Sequence, residues 1–460
     1  MPKNKEVADI RSFLKALEKK GELLRVRKKV SLKYELAGLE QRLDGGPALF
    51  FESVEGSNMS VVSGLCGSRE RVGLALSANF ESIHERYAQA QSGENPRVTR
   101  DGPVLESIGD AHLSKLPVPL HYEKDAGHYI TSSIIFARNP GKRYQNGSVH
   151  RLRVLDDNRL VVRAVEGRHL DSCIQAARIK GTDLDVAIVI GVHPAILLAS
   201  AYQAPLGIDE MKIAGGLLGT SIPMVKCPGS DLLVPSHAEL VLLGKLLPDQ
   251  LEEEYMAEML ATYDYKRLQP IIKVDKILQR KDAIYHDILA ASNEHRFIMS
   301  VPVESKVMAG VRSSVPSVEE VRLTEGGCNW LVAVIKIKKK HGEEPKNAIS
   351  AAFAAHPSLK IVFVVDHDID ITDPSALEFS LATRFQADGR LVVIQNAKGS
   401  SLDPSSNQAE RITSKIGFDA TATLSLPWER FETAKIPGAE RLVLKDYLPK
   451  GTKVASSIKT

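Results

Sequence analysis

Asn146-Gly-Ser-Val-His-Arg-Leu-Arg-Val-Leu-Asp-Asp-Asn-Arg-Leu-Val-Val-Arg-Ala-Val-Glu-Gly-Arg-His169 is the stretch on which the reading of this chain turns. Val149, Arg151 and Arg153 alternate with His150, Leu152 and Val154, a strand pattern, and Asp156-Asp157-Asn158 reads as a turn into a returning strand over residues 160–165. The hairpin carries Arg151, Arg163 and Arg168. On pattern alone this is a solvated antiparallel face. Clustered guanidinium groups, however, keep their charge and are costly to desolvate without an acceptor such as carboxylate or phosphate. Asn146 and His169 add an amide oxygen and an imidazole, each able to ligate a divalent metal.

Composition bounds the rest. The 460 residues are 43% hydrophobic and 25% charged, an ordinary mix for a globular enzyme and too long for one core, so about two or three domains are expected. A net charge of +3 gives no reason to invoke nucleic acid or an anionic membrane. Cys66, Cys173, Cys227 and Cys328 are scattered without a C-x-x-C pair, which suits a reducing compartment. The N-terminus has no apolar export segment, and no run approaches the ~18 apolar residues of a membrane span. The expected location is the cytoplasm.

In chain order, residues 1–120 read as a mixed α/β domain: a helix over 7–20, a strand over 23–30, further strands near Ala48 and Met59, and a helix near Arg69. The prolines of Leu113-Ser-Lys-Leu-Pro-Val-Pro-Leu mark a boundary. Residues 121–300 are β-rich around the hairpin, with a helix over 170–180 and a buried strand over 187–190. His193-Pro194 opens a small-residue helix and reads as a satisfied core histidine. Residues 301–460 alternate strand and helix as an α/β layer, ending in a loose tail over 450–460. Asp366-His-Asp-Ile-Asp-Ile-Thr-Asp fails as a calcium loop because Ile371 and Leu377 hold the places of Gly and Glu.

Asn146-x4-Arg151 followed by a basic residue and His169 resembles the cofactor-binding core of the UbiD-type carboxy-lyases, decarboxylases that use prenylated flavin mononucleotide. The resemblance runs the length of the chain, through Gly46-Pro-Ala-Leu-Phe-Phe, Gly67-Ser-Arg-Glu-Arg, Val225-Lys-Cys, Asp366-His-Asp and Ser401-Leu-Asp-Pro-Ser. It implies a three-part α/β architecture: a central split β-barrel flavin domain over 121–300, with an N-terminal mixed α/β domain and a C-terminal α/β domain. It also implies a metal site of Asn146, His169 and Glu210, with Glu210 rather than Asp209 placed by counting back from Val225. That N/O set suits Mn²⁺ or Mg²⁺, with K⁺ a further candidate. Cofactor contacts fall on Asn146, Val149, His150, Arg151, Arg163, Ala164, Val165, Arg168, His169, Glu210 and Lys360.

The catalytic residues implied are Arg151, Glu253 and Glu258. Here the sequence departs from the family, with Glu254-Tyr-Met-Ala where Gly-Pro-x-Gly is usual, so Glu254 and Glu258 could instead stack on a solvated helix. Cys227, before Pro228 and without a base, reads as packing. The implied activity is reversible, non-oxidative decarboxylation of an aromatic, heteroaromatic or α,β-unsaturated acid. Arg151 would orient the carboxylate, Glu258 would return a proton, and the modified flavin would act as electron sink. A flavin prenyltransferase as supplier and a homo-oligomer, dimer or hexamer, are the implied partners. The alternatives are an ordinary FMN redox enzyme and a family member that binds cofactor without turnover.

Overall fold

An uninterrupted apolar run needs cover on both faces, and the run beginning at Val186 receives it. The computed structural model describes residues 8–449 apart from Phe80, Glu81, Arg143, Gln203, Leu206, Leu444 and Lys445, so Val7 and the 450–460 tail lie outside it. In it the run is one strand of a closed, six-stranded, all-antiparallel barrel: β1 (Tyr129–Arg138), β2 (Gln145–Val154), β3 (Arg159–Val162), β4 (Leu184–Ile190), β5 (Leu240–Glu254) and β6 (Arg267–Gln279). The order around the wall is β5-β4-β1-β2-β3-β6, and β6 pairs back with β5. A short strand, Ser107–Asp110, extends β6.

Alternation fills both sides of the wall. Ile135, Leu152, Leu160, Ile188, Leu242 and Ile272 form the interior, one from each strand, and the helix α1 (His169–Lys180) closes on it with Leu170, Cys173, Ile174 and Ala177. Phe136, Val189 and Val241 face outward into a second core with α2 (Pro194–Ala201) and α3 (Glu210–Leu218). The barrel closes where β5 shifts register at Leu243/Gly244. A Cβ on Gly244 would lie 2.0 Å from the Lys273 carbonyl oxygen and 2.8 Å from Val274 Cα. Gly244→Ala is therefore expected to destabilise the chain by at least ~1–3 kcal/mol, read as a lowered urea midpoint.

The chain divides into two compact units, Met1–Ser305 and Lys306–Thr460. Within the first, the helix Ile10–Lys19 opens with an Asp9/Ser12 capping box and buries Ile10, Phe13, Leu14 and Leu17. It packs on a sheet ordered Leu23–Val26, Ala48–Phe51, Ser60–Ser63, Ile284–His286, whose last strand comes from beyond the barrel. The proline-rich segment near residue 120 is packed, with Leu113, Leu116 and Val118 buried in the barrel's core, and it is no free linker. The second unit is a five-stranded sheet ordered Val318–Leu323, Val332–Ile337, Ile361–Asp366, Ile412–Ala420, Leu391–Lys398, with helices Glu344–Ala355 and Pro374–Arg384. Its Asp-rich phrase is a strand-to-helix turn: Arg384 pairs Asp366 at 2.7 Å and Asp368 at 2.7 Å.

Candidate active site

Alternate residues of a strand face opposite sides, so β2 presents Asn146, Ser148 and His150 on one side and Arg151 on the other. The first side is a hydrogen-bonded relay. His150 Nδ1 lies 3.0 Å from the Arg163 carbonyl oxygen, which only accepts, so Nδ1 carries the hydrogen and Nε2 accepts from the Ser148 hydroxyl at 2.8 Å. Burial, with Arg163 beside it, lowers the His150 pKa to about 4 and keeps the ring neutral. Ser148 Oγ in turn accepts from Asn146 Nδ2 at 2.8 Å, which turns Asn146 Oδ1 toward His169 Nδ1 at 3.0 Å.

His169 is the first residue of α1 and Glu210 the first of α3. Glu210 Oε1 lies 3.5 Å from His169 Nδ1, and Glu210 Oε2 accepts from the Gly147 amide at 3.0 Å. Three segments far apart in sequence thus bring an amide oxygen, an imidazole nitrogen and a carboxylate together. Two helix N-termini meet there, and α1 has no side chain capping its first turn, an arrangement that favours an anion. Arg168 stands at the N-cap position of α1. The N-cap of α3 is Asp209, which accepts from the Met211 amide at 2.8 Å.

On the other side, Arg151 is enclosed by carboxylates. Glu254 takes it in a fork, Oε1 2.8 Å from Nε and Oε2 3.1 Å from Nη2. Glu258 meets its Nη1, and Asp264 lies 3.4 Å from Nη2. Asp264 also reaches Arg163 at 3.4 Å and Arg267 at 3.1 Å, so three arginines balance three acids. The carboxylates push the Arg151 pKa up against burial, while burial, opposed by Arg151, raises the Glu258 pKa above the ordinary carboxyl range. Asp264 is held low by Arg151 and its other arginine neighbours despite its burial. His295, kept neutral at a pKa of about 4 by burial and by Arg151 and Arg296, stands close by.

One expectation needs correcting, and one alternative falls away. Glu253 is outside the cluster: its side chain is 55% exposed and pairs with Lys266 at 2.9 Å. β5 continues through Glu254, and strand alternation sends Glu254, with a fully buried side chain, to Arg151 instead. The segment after it is also no helix. Ala257 bridges Tyr263, the Glu258 amide donates to Thr262 O at 2.8 Å, and the Ala257 amide donates to Asp125 at 3.0 Å, which fixes Glu258 on a tight loop.

The remaining named positions are placed as follows. Val149 packs against the outer core, the Ala164 amide donates to Gln269 at 2.8 Å, and Val165 O accepts from the Arg168 amide. Lys360 belongs to the second unit, where it pairs Asp403 at 2.8 Å. His193 is buried at the start of α2, and burial lowers its pKa to about 4. Cys227 is buried with its thiol pushed up to about 12. Ser148, Glu254, Asp264 and His295 were not evident from sequence. Only Glu254 and Ser148 had a signal, as the strand-parity partners of residues already singled out.

Models of the N-terminal, Rift-related and C-terminal domains of 3-octaprenyl-4-hydroxybenzoate carboxy-lyase match residues 14–91, 97–293 and 296–420. The anhydromevalonate phosphate decarboxylases of Methanothermobacter thermautotrophicus and Methanocaldococcus jannaschii are 40% and 41% identical over 417 and 413 residues, 90% and 89% of this chain and 97% and 96% of theirs. The structure of the UbiD-class enzyme HmfF from Pelotomaculum thermopropionicum in complex with FMN matches with a TM-score of 0.92 at 41% identity, covering 96% of this chain and 100% of that one. An evolved dimeric form of HmfF in complex with prenylated FMN gives a TM-score of 0.89 at 38% identity, again over 96% and 100%. With its three segments matched in order and such identity sustained along nine-tenths of its length, the chain belongs to the UbiD family of prenylated-FMN-dependent carboxy-lyases.

Proposed function

We propose that this chain removes CO₂ without net oxidation, and reversibly, from an α,β-unsaturated acid that carries a phosphate, the kind of substrate for which its decarboxylase relatives are named. The observation that carries the reading is Glu258: a carboxyl with only 14% of its side chain exposed and a raised pKa, held against Arg151 on the strand that also presents Asn146. Losing CO₂ leaves an electron pair on an unsaturated carbon that holds it poorly. Prenylated FMN, when bound, supplies the sink for that pair.

The residues present fit both a metal and a flavin phosphate. Asn146, His169 and Glu210 are a mixed N/O donor set suited to Mn²⁺ or Mg²⁺, with K⁺ as a companion ion, and the uncapped start of α1 suits a phosphate. Glu254 fixes the plane of the Arg151 guanidinium, whose Nη1, shared with Glu258, orients the substrate carboxylate. Glu258 holds the proton that replaces CO₂ on carbon. Asp264 keeps the charge of the arginines balanced as that proton moves. The relay through His150 and Ser148 sets Asn146 with its oxygen toward the ion. Ser148→Ala is thus expected to weaken Mn²⁺ binding by about 10–100-fold, measured by titration of the purified protein, with the fold unchanged.

In this reading a flavin prenyltransferase supplies the cofactor, and the chain works in the cytoplasm as a homo-oligomer. The test is production with and without that prenyltransferase, followed by absorbance spectra, metal analysis and assay with anhydromevalonate phosphate. Product and CO₂ only from the co-produced protein, together with Mn²⁺ and a new chromophore, support the reading. Turnover that instead requires a reductant and unmodified FMN would replace it with the redox alternative. Chromophore and metal without turnover would limit the loss to the substrate class.

A further inference from the structure

A second cluster of ligand-type side chains lies apart from Asn146, His169 and Glu210. Glu40 projects from the buried face of the helix Glu35–Arg42, His121 follows the proline-rich segment, and Asp287 follows the strand Ile284–His286. All three are buried, at 6%, 5% and 0% exposure, and they offer ligand atoms within 4.8 Å of one another. His121 Nε2 lies 2.8 Å from Asp287 Oδ2, and the other Asp287 oxygen accepts from Thr131 at 3.1 Å.

Several polar atoms here lack a well-formed hydrogen bond. Ser63 and Asp287 flank the buried carboxyl of Glu40, yet neither of its oxygens makes a hydrogen bond of good geometry, and His121 Nδ1 and the hydroxyl of Tyr285, which neighbours Glu40 and Asp287, are likewise without one. Buried unsatisfied groups in such number point to a missing ligand. Charge points to the same conclusion. Glu294, also close to Glu40, already has its partners in the Gly64 and Cys66 amides and His286, at 2.6, 3.0 and 3.2 Å. Arg71, the nearby cation, pairs with Glu22 at 2.9 Å. That leaves Glu40 and Asp287 sharing one imidazole, a site that can take a further cation in place of a proton. A small cavity runs from exposed Asp44 past Ser63 and Arg71 to Glu40, offering a way in.

We propose that Glu40, His121 and Asp287 form a second divalent-metal site, structural in role and suited to Mn²⁺ or Zn²⁺ by its one imidazole and two carboxylates. The ion takes the place of the proton between His121 Nε2 and Asp287 Oδ2 and gives Glu40 its missing partner. It ties the first sheet to the barrel: Asp287 reaches β1 through Thr131, and His121 adjoins Tyr122, whose amide donates to Asp125 at 3.1 Å. Asp125 in turn holds Ala257, next to Glu258.

The test is metal content of the full-length protein, stripped with chelator and reloaded with Mn²⁺ alone or Zn²⁺ alone, with anomalous scattering from crystals of each. Two equivalents are expected in the unmodified chain, one in His169→Ala, and none when Glu40→Gln is added. An anomalous peak among Glu40, His121 and Asp287 is expected in the unmodified chain, and this needs no variant to fold. Chelation should also lower the Tm of His169→Ala and leave the Tm of His169→Ala/Glu40→Gln unmoved. One equivalent in the unmodified chain and none in His169→Ala, or density without anomalous signal at Glu40, would overturn the proposal in favour of a water or a shared proton. One equivalent in both the unmodified chain and His169→Ala, with the anomalous peak among Glu40, His121 and Asp287, would instead count against the first metal site, so the two readings fail separately.

Discussion

Glu258→Gln is expected to lower turnover by about 10²–10⁴-fold, the range for removing a positioned general acid, while metal and flavin content stay at the level of the unmodified protein. The amide keeps the size and a hydrogen-bonding group beside Arg151 but has no proton to give to carbon. Burial raises the Glu258 pKa and Arg151 only partly offsets it. The carboxyl therefore keeps its proton to higher pH than an exposed glutamic acid. The protonation step should slow as pH rises through that raised value, and deuterium from D₂O should enter the product at the carbon that lost CO₂. Unchanged turnover or unchanged deuterium incorporation in Glu258→Gln would show that another group carries the proton.

Arg151→Ala should be the most damaging single change to both stability and activity. It leaves Glu254, whose side chain is fully buried, together with Glu258 and Asp264 facing only Arg163 and Arg267. Removing one partner of a buried ion pair costs ~3–5 kcal/mol. Uncompensated carboxylates have folded pKa values above their unfolded ones, so the folded state binds more protons and stability falls as pH rises. The deficit should thus be small near pH ~4 and grow above it, seen as a urea midpoint that drops between acid and neutral pH more steeply than in the unmodified chain. Arg151→Lys keeps the charge and loses the fork. It should recover most of the stability and little of the turnover, and equal recovery of both would show that the fork with Glu254 is irrelevant to catalysis.

How far the sequence reveals this site depends on which interaction fixes each residue. Asn146 and His169 stand out as ligand-type side chains flanking a locally patterned hairpin, whereas Glu210 is placed only by the family resemblance, counting back from Val225. The hairpin was legible because its alternation and its turn are local. Glu254 was missed because β5 runs on through Leu251-Glu-Glu-Glu, which has no apolar alternation. Pairing with Arg267–Pro270 across the barrel holds that segment extended, after a register shift at Leu247/Leu251. Asp264 carries no local signal, and only folding sets three arginines around it. The segment near residue 120, read from its prolines as a boundary, is packed against the barrel through contacts distant in sequence.

The strand Ile284–His286 completes the first sheet by pairing in parallel with Ser60–Ser63. During synthesis that sheet has an open edge until more than two hundred further residues have been made. At ~5–20 residues per second the wait is on the order of 10–45 s. The barrel, whose strands all lie between, has time to form first and to present the returning strand. A fragment ending before Ile284 would leave the Ser60–Ser63 edge unpaired and prone to association with other chains.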